Sequence, residues 1–401
     1  MQYNFDEIIE RNGTSSLKYD GKKRYFGTDD VLPMWVADMD FRSPDFIINA
    51  LKKRLSHEIL GYNIKPQGFY TSVVNWMKRR FDWEIKEEWI SFTPGVVSAL
   101  NFGVLSLTEP GQKVIIQTPV YAPFFKVVRN HNRQLVINEL KLQNGRYVMD
   151  LNNLQSQIDK DTKAIILCSP ANPAGRVWEK DELLALGDIC LKNNLLIISD
   201  EIHSDLILRG NKHLPLASLS KEIADITVTC MAPSKTFNIA GLASSVIIIP
   251  NHDLKQRFDM LPNSLDLNNG NLFGIEALQA AYAYGDEWLG QMLAYLDGNV
   301  DFLDSYLKEH LPMIKMIRPE GTYLVWLDCR DMKMTSQELR MFFIEEAKVG
   351  LNAGTDFGPG GEGFMRMNVG CPRAIIAEGL KRIEKAFADR FANLPIIKKF
   401  P

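Results

Sequence analysis

Little in the sequence would tie it together through covalent or metal bonds. Five cysteines, Cys168, Cys190, Cys230, Cys329 and Cys371, are scattered through 401 residues, mostly inside apolar runs. There is no CxxC pair and no HExxH, so neither a disulfide framework nor a metal site is expected. Buried, reduced thiols are the ordinary reading. Charge of one sign is lacking too. A formal net charge of -3 gives no footing for nucleic acid or an anionic membrane. No apolar run reaches the ~20 residues of a membrane span. The opening Met1 to Glu7 has neither a basic start nor an apolar core, so no signal peptide is expected and a cytoplasmic location follows by default. No GxGxxG follows a first strand, which opposes a dinucleotide-binding dehydrogenase. The glycine-rich Gly358 to Gly363 precedes a strand rather than a helix and reads as a turn. Repeats and low-complexity stretches are absent.

What is present is an ordinary globular composition, 46% apolar and 24% charged, in a chain long enough for two domains. Residues 1–45 show little periodicity. Within them Pro33 to Phe41 reads as an extended segment packed on something else. A helix is expected from Pro44 to Leu55 and a turn at Gly61 to Asn63. An amphipathic helix follows, with Tyr70, Val73, Val74, Met77 and Phe81 inward and Lys78, Arg79 and Arg80 as a solvated face. From about residue 90, strands alternate with helices: Val114 to Gln117, Ala164 to Cys168, Leu195 to Ser199, Ile226 to Met231 and Val246 to Ile249 are strands, with helices at Val96 to Leu107 and Asp181 to Asn194. Continuous apolar strands separated by helices argue for a parallel sheet covered on both faces. After about residue 285 the rhythm becomes α+β. Helices are expected at Glu287 to His310, Ser336 to Val349 and Ala374 to Phe391, and strands at Tyr323 to Leu327 and Phe364 to Val369. The division expected is an N-terminal segment, 1–45, packing on the small domain, a large α/β domain, 46–285, and a small α+β domain, 286–401.

Ligands bind parallel sheets at the carboxyl ends of the strands. Tyr121 follows the first of these strands, Asn172 the second, Asp200 and His203 the third, and Lys235 the fourth. Each alone reads as a turn, cap or surface residue. Together they fit pyridoxal phosphate. A lysine near apolar surroundings has its ammonium form disfavoured and can form a Schiff base with a carbonyl. An aspartate beside the pyridine nitrogen keeps it protonated, and the protonated ring is an electron sink. Asn172, and His203 with it, suit the phenolic oxygen, and Tyr121 suits the ring face. Gly95, Val96 and Val97 open a helix, whose free N–H groups suit a phosphate.

Three motifs, Ser169-Pro-Ala-Asn-Pro-Ala-Gly-Arg-Val-Trp178, Ser199-Asp-Glu-Ile-His-Ser-Asp205 and Pro233-Ser-Lys-Thr-Phe-Asn-Ile-Ala-Gly-Leu242, resemble in order and spacing those of fold-type I pyridoxal-phosphate enzymes of the class I/II aminotransferase superfamily. Pro33-Met-Trp-Val-Ala-Asp-Met-Asp-Phe41 and His203 resemble the cystathionine beta-lyase (C–S lyase) branch. The resemblance implies that Arg366 grips the substrate α-carboxylate, with Tyr121 beside it. It also implies that Tyr62 reaches the phosphate of a neighbouring subunit in a homodimer. Two positions depart from many relatives: Ala232 and Ala243 stand where a serine and an arginine would meet the phosphate. The phosphate then leans on Ser234, the Gly95–Val97 backbone and Tyr62. The function implied is β-elimination of cystathionine or a related cysteine S-conjugate to thiol, pyruvate and ammonia. An aminotransferase of an L-amino acid is the alternative, and a regulatory binding protein with secondary lyase activity is a third reading.

Overall fold

The computed structural model describes residues 2–391. Its centre is a seven-stranded sheet ordered Ile90–Thr93, Ser245–Ile248, Thr227–Met231, Leu196–Asp200, Thr162–Cys168, Lys113–Thr118 and Gln134–Glu139. The apolar runs are continuous because both faces are covered. Val114, Ile116, Ala164, Ile166 and Ile198 pack against the Val96–Leu107 and His252–Ser264 helices. Ile115, Ile165, Leu167 and Ile197 pack on the other side, with Leu183, Leu186 and Cys190 of the Lys180–Lys192 helix. Cys168, Asp200 and Cys230 are in register, so three neighbouring strands end level.

A second, antiparallel sheet is ordered Lys315–Ile317, Leu324–Asp328, Phe364–Asn368, Asn352–Ala353. The 25-residue helix Asp286–His310 lies between the two sheets in sequence. The N-terminal segment joins the second sheet's surroundings. Leu32–Pro33 pairs with Val349–Gly350, and Asn368 Nδ2 donates to the carbonyls of Val36 and Asp38, 2.6 Å each. Buried Lys18 and half-buried Arg11 hold Asp40 at 2.6 and 2.5 Å. All five cysteines are unpaired, four of them buried and Cys168 half-buried.

Four expectations need correction. Ser245–Ile248 runs antiparallel to both neighbours. Apolar composition reports burial, not direction, and the Met231–Ser245 connection holds only two short turns of helix, too little for a crossover. The helix expected over Ser336 to Val349 is regular only to Met341. It then widens into a π-turn, Phe342–Glu346, that buries three consecutive apolar residues, and Val349 belongs to a strand. Gly61 to Asn63 forms no turn and is irregular chain. Arg80 is only partly solvated: its side chain is 28% exposed, and its Nε points to buried Asp205 at 3.4 Å.

Candidate active site

The lysine is placed by the chain leaving the Thr227–Met231 strand. Pro233 starts a single helical turn, Pro233–Thr236, as its fixed φ favours, and Lys235 lies within it. Thr236 Oγ1 donates 3.1 Å to buried Asp205, which fixes the turn from behind. Lys235 Nζ donates 2.7 Å to the carbonyl of Ala37 in the N-terminal segment. Burial, opposed by Asp38 and Asp200 and assisted by Arg366, lowers the amine to about 8.

Asp200 closes its strand with 5% exposure. Its Oδ1 accepts from Ile202 N at 3.1 Å, and among the described residues no cation bonds it. Burial drives this carboxyl up to about 7 despite the pull of Lys235. His203 is pushed down to about 3, first by burial and then by Lys235 and Arg366, and its Nδ1 has no partner. Lys235, Asp200 and His203 line one cavity of about 210 Å³ together with Asn172, Tyr121 and Ser234. The Gly95–Val97 backbone forms another wall. Gly95 caps the Val96–Leu107 helix at φ +122°, a conformation that side chains rarely adopt.

Arg366 stands behind Asn172, 4% exposed. Its Nη1 donates 2.9 Å to Asn172 Oδ1, which leaves the Asn172 amide N–H groups for the cavity. Its Nη2 donates to Trp35 O at 2.8 Å and Asn352 Oδ1 at 2.6 Å, and its guanidinium lies 4.8 Å over the Phe357 ring. Burial lowers it to about 10. Tyr62 is apart from all of this, fully exposed beside exposed Ile59, Leu60 and Ile64.

Several cavity residues escaped the sequence reading. Ser98, Ala37 and Cys168 line it, and so does Ser244, whose buried hydroxyl has no partner. Ser244 sits one place past Ala243, so attention to the neighbours of that departure would have found it. Asn352 carries no sequence signal, and neither does a backbone carbonyl such as Ala37. Among the described residues no group of three or more His, Cys, Asp or Glu is arranged to hold a metal ion, and no helix is long and apolar enough to cross a membrane.

Residues 30–383 match the family described as aminotransferase class I and II. The chain belongs to that family. Within it, the chain is 45% identical over 386 residues to cystathionine beta-lyase PatB of Bacillus subtilis, covering 96% of this chain and all of that one. Two solved members of like shape are a PLP-bound protein from Clostridium difficile 630 named as an aminotransferase and cystalysin from Treponema denticola, which contains pyridoxal 5'-phosphate. The first has TM-score 0.95 at 47% identity, covering 96% of this chain and 100% of that one. The second has TM-score 0.93 at 40% identity, covering 97% and 100%. Their fold is the mainly parallel, helix-covered sheet described above.

Proposed function

We propose that this family member is a pyridoxal-phosphate-dependent carbon–sulfur lyase, which removes the thiol of cystathionine or a related cysteine S-conjugate and releases pyruvate and ammonia. The carrying observation is Asp200: a buried carboxylate without a bonded cation, lining the same cavity as the Lys235 amine. A pyridinium nitrogen would supply the missing positive partner. The cavity fits the cofactor in other respects. Ser244 offers an unpartnered buried hydroxyl, and the Gly95–Val97 backbone opens a 12-residue helix, so both suit a phosphate.

When bound, pyridoxal phosphate supplies an electron sink for the bond broken at the substrate Cα. The chain's own residues do the rest. Lys235 Nζ moves the Cα proton, and a pKa near 8 keeps a working fraction of free amine near neutral pH. Asp200 holds positive charge at the ring nitrogen. Asn172, its amide oxygen held by Arg366, would donate an N–H to the phenolic oxygen. His203 stands nearby as a neutral ring. Tyr121, which lines the cavity, would cover the ring face and border the substrate. Arg366 would bind the α-carboxylate by its charge and by the N–H groups its protein partners leave open. Ser234 helps hold the phosphate.

The active unit proposed is a cytoplasmic homodimer in which the Tyr62 of one copy reaches the phosphate of the other. The exposed apolar run around Tyr62 supports that, and an active monomer in sedimentation would exclude it. The division proposed is a cofactor domain, 46–285, and a small domain, 286–401, whose last ten residues lie outside the described ones, with the N-terminal segment bridging to the small domain. Purified holoenzyme given cystathionine without any keto acid should release thiol and pyruvate in equal amounts. Turnover that stalls until a keto acid is added, with no thiol, would favour the aminotransferase reading that the Clostridium relative's name suggests.

A further inference from the structure

Arg366 is held by a line of polar groups that the chemistry does not itself require. Asn352, which accepts from Arg366 Nη2, donates through its Nδ2 to the Tyr25 hydroxyl at 2.9 Å. Tyr25 in turn donates 2.5 Å to Asp356 Oδ2. The line runs from the Phe364–Asn368 strand, through the Asn352–Ala353 strand, to the Lys22–Phe26 helix and back to the Gly354–Phe357 turn.

A side-chain amide can face either way, and its two ends differ only in which one donates. Here the far end of the line decides. A carboxylate only accepts, so Asp356 claims the Tyr25 O–H. The Tyr25 oxygen is left to accept, and only the nitrogen of Asn352 can serve it. The oxygen of Asn352 therefore faces Arg366. Burial, with Asp356 next, raises Tyr25 to about 12, so the hydroxyl keeps its proton. The ring is fixed as well. It stacks 4.2 Å from Trp35 at 24°, and the Arg340 guanidinium lies 5.4 Å over it. Trp35 supplies the carbonyl that takes the other Arg366 Nη2 bond.

We propose that Tyr25 and Asp356 are positioning residues for the substrate carboxylate: through the enforced direction of Asn352 they hold the Arg366 guanidinium in one plane, and so fix where its remaining N–H groups point. The inference rests on Arg366 being the carboxylate-binding group. With the direction reversed, Asn352 would present N–H to guanidinium N–H. Two donors would face each other, and Arg366 would turn away.

The test compares holoenzyme of wild type, Tyr25→Phe, Asp356→Ala, Asp356→Asn and Arg366→Lys. Each is assayed on cystathionine and on cystathionine amidated at its cysteine-side α-carboxyl, alongside its thermal midpoint. Tyr25→Phe and Asp356→Ala should each raise KM for the carboxylate substrate about tenfold, the scale of one hydrogen bond to a charged group, with kcat nearly unchanged. The preference for carboxylate over carboxamide should shrink by the same factor. Asp356→Asn, whose amide oxygen still accepts, should restore most of it. A purely structural role would weaken both substrates alike and lower the midpoint. If Arg366→Lys erases the preference while Tyr25→Phe and Asp356→Ala leave it intact, the positioning role is wrong and the arginine's role stands. If Arg366→Lys itself leaves the preference intact, the arginine reading falls, and this inference with it.

Discussion

The lysine end and the arginine end of the site are built in opposite ways. Around Lys235, buried polar groups are left wanting: Asp200 has one backbone N–H, and His203 Nδ1 and Ser244 Oγ have no partner. Around Arg366 most groups are taken, with Arg366 Nε the buried exception. The guanidinium gives three hydrogen bonds, and Asn352, Tyr25 and Asp356 complete one another behind it. An unpaired buried polar group costs about 1–3 kcal/mol, so the lysine end gains stability from whatever ligand completes it. The arginine end is already held in place by its protein partners, which lowers the entropy cost of capture. On the proposed function, one end would keep a cofactor and the other would select a substrate and release its product.

The comparison breaks most visibly at Asp200. Asp200→Asn should cut kcat at least a hundredfold, about 2.7 kcal/mol, while the visible absorbance of bound cofactor persists. A variant with near-normal kcat would mean that the carboxylate is not needed at the ring nitrogen. The same substitution should act in the other direction on the cofactor-free protein. There Asp200 has a folded pKa of about 7, above the ordinary 3.8, so the folded state holds the extra proton. Its stability contribution is full below about 3.8 and is lost as pH rises to about 7. The thermal midpoint of the cofactor-free wild type should therefore fall across that window relative to Asp200→Asn. Parallel curves would show that the carboxyl is not strained by burial. The smallest effect is expected at Ser244. Ser244→Ala should weaken cofactor binding about fivefold, one ordinary hydrogen bond, by equilibrium titration. An unchanged affinity would leave that hydroxyl without a role in holding the phosphate.

The two ends also differ in how legible they were. Each cofactor-end residue follows an apolar run that marks a buried strand, so Asn172, Asp200 and Lys235 could be lined up on one sheet edge before any coordinates. That reading needs only local pattern and the rule that ligands bind at strand ends. It did not need strand direction, which is why Ser245–Ile248 could be taken as parallel without misplacing the lysine. The arginine end is made by contacts between segments far apart in the chain. Tyr25 meets Asn352 and Asp356 across more than three hundred residues, and nothing periodic in either neighbourhood announces it. Arg366 was reached through family likeness alone, since an arginine on a strand otherwise reads as exposed. Ala37 was missed because its contribution is a carbonyl, which every residue carries.

The central claim is that the Lys235 amine, lowered by burial and lining one cavity with Asp200, is where the carbonyl cofactor attaches. Borohydride reduction of the holoenzyme followed by peptide mapping tests it most directly. The account predicts the pyridoxyl mass on the peptide containing Lys235 and on no other, with the visible absorbance lost in step. A label on a different lysine, or visible absorbance retained by Lys235→Ala after equally complete labelling elsewhere, would contradict it.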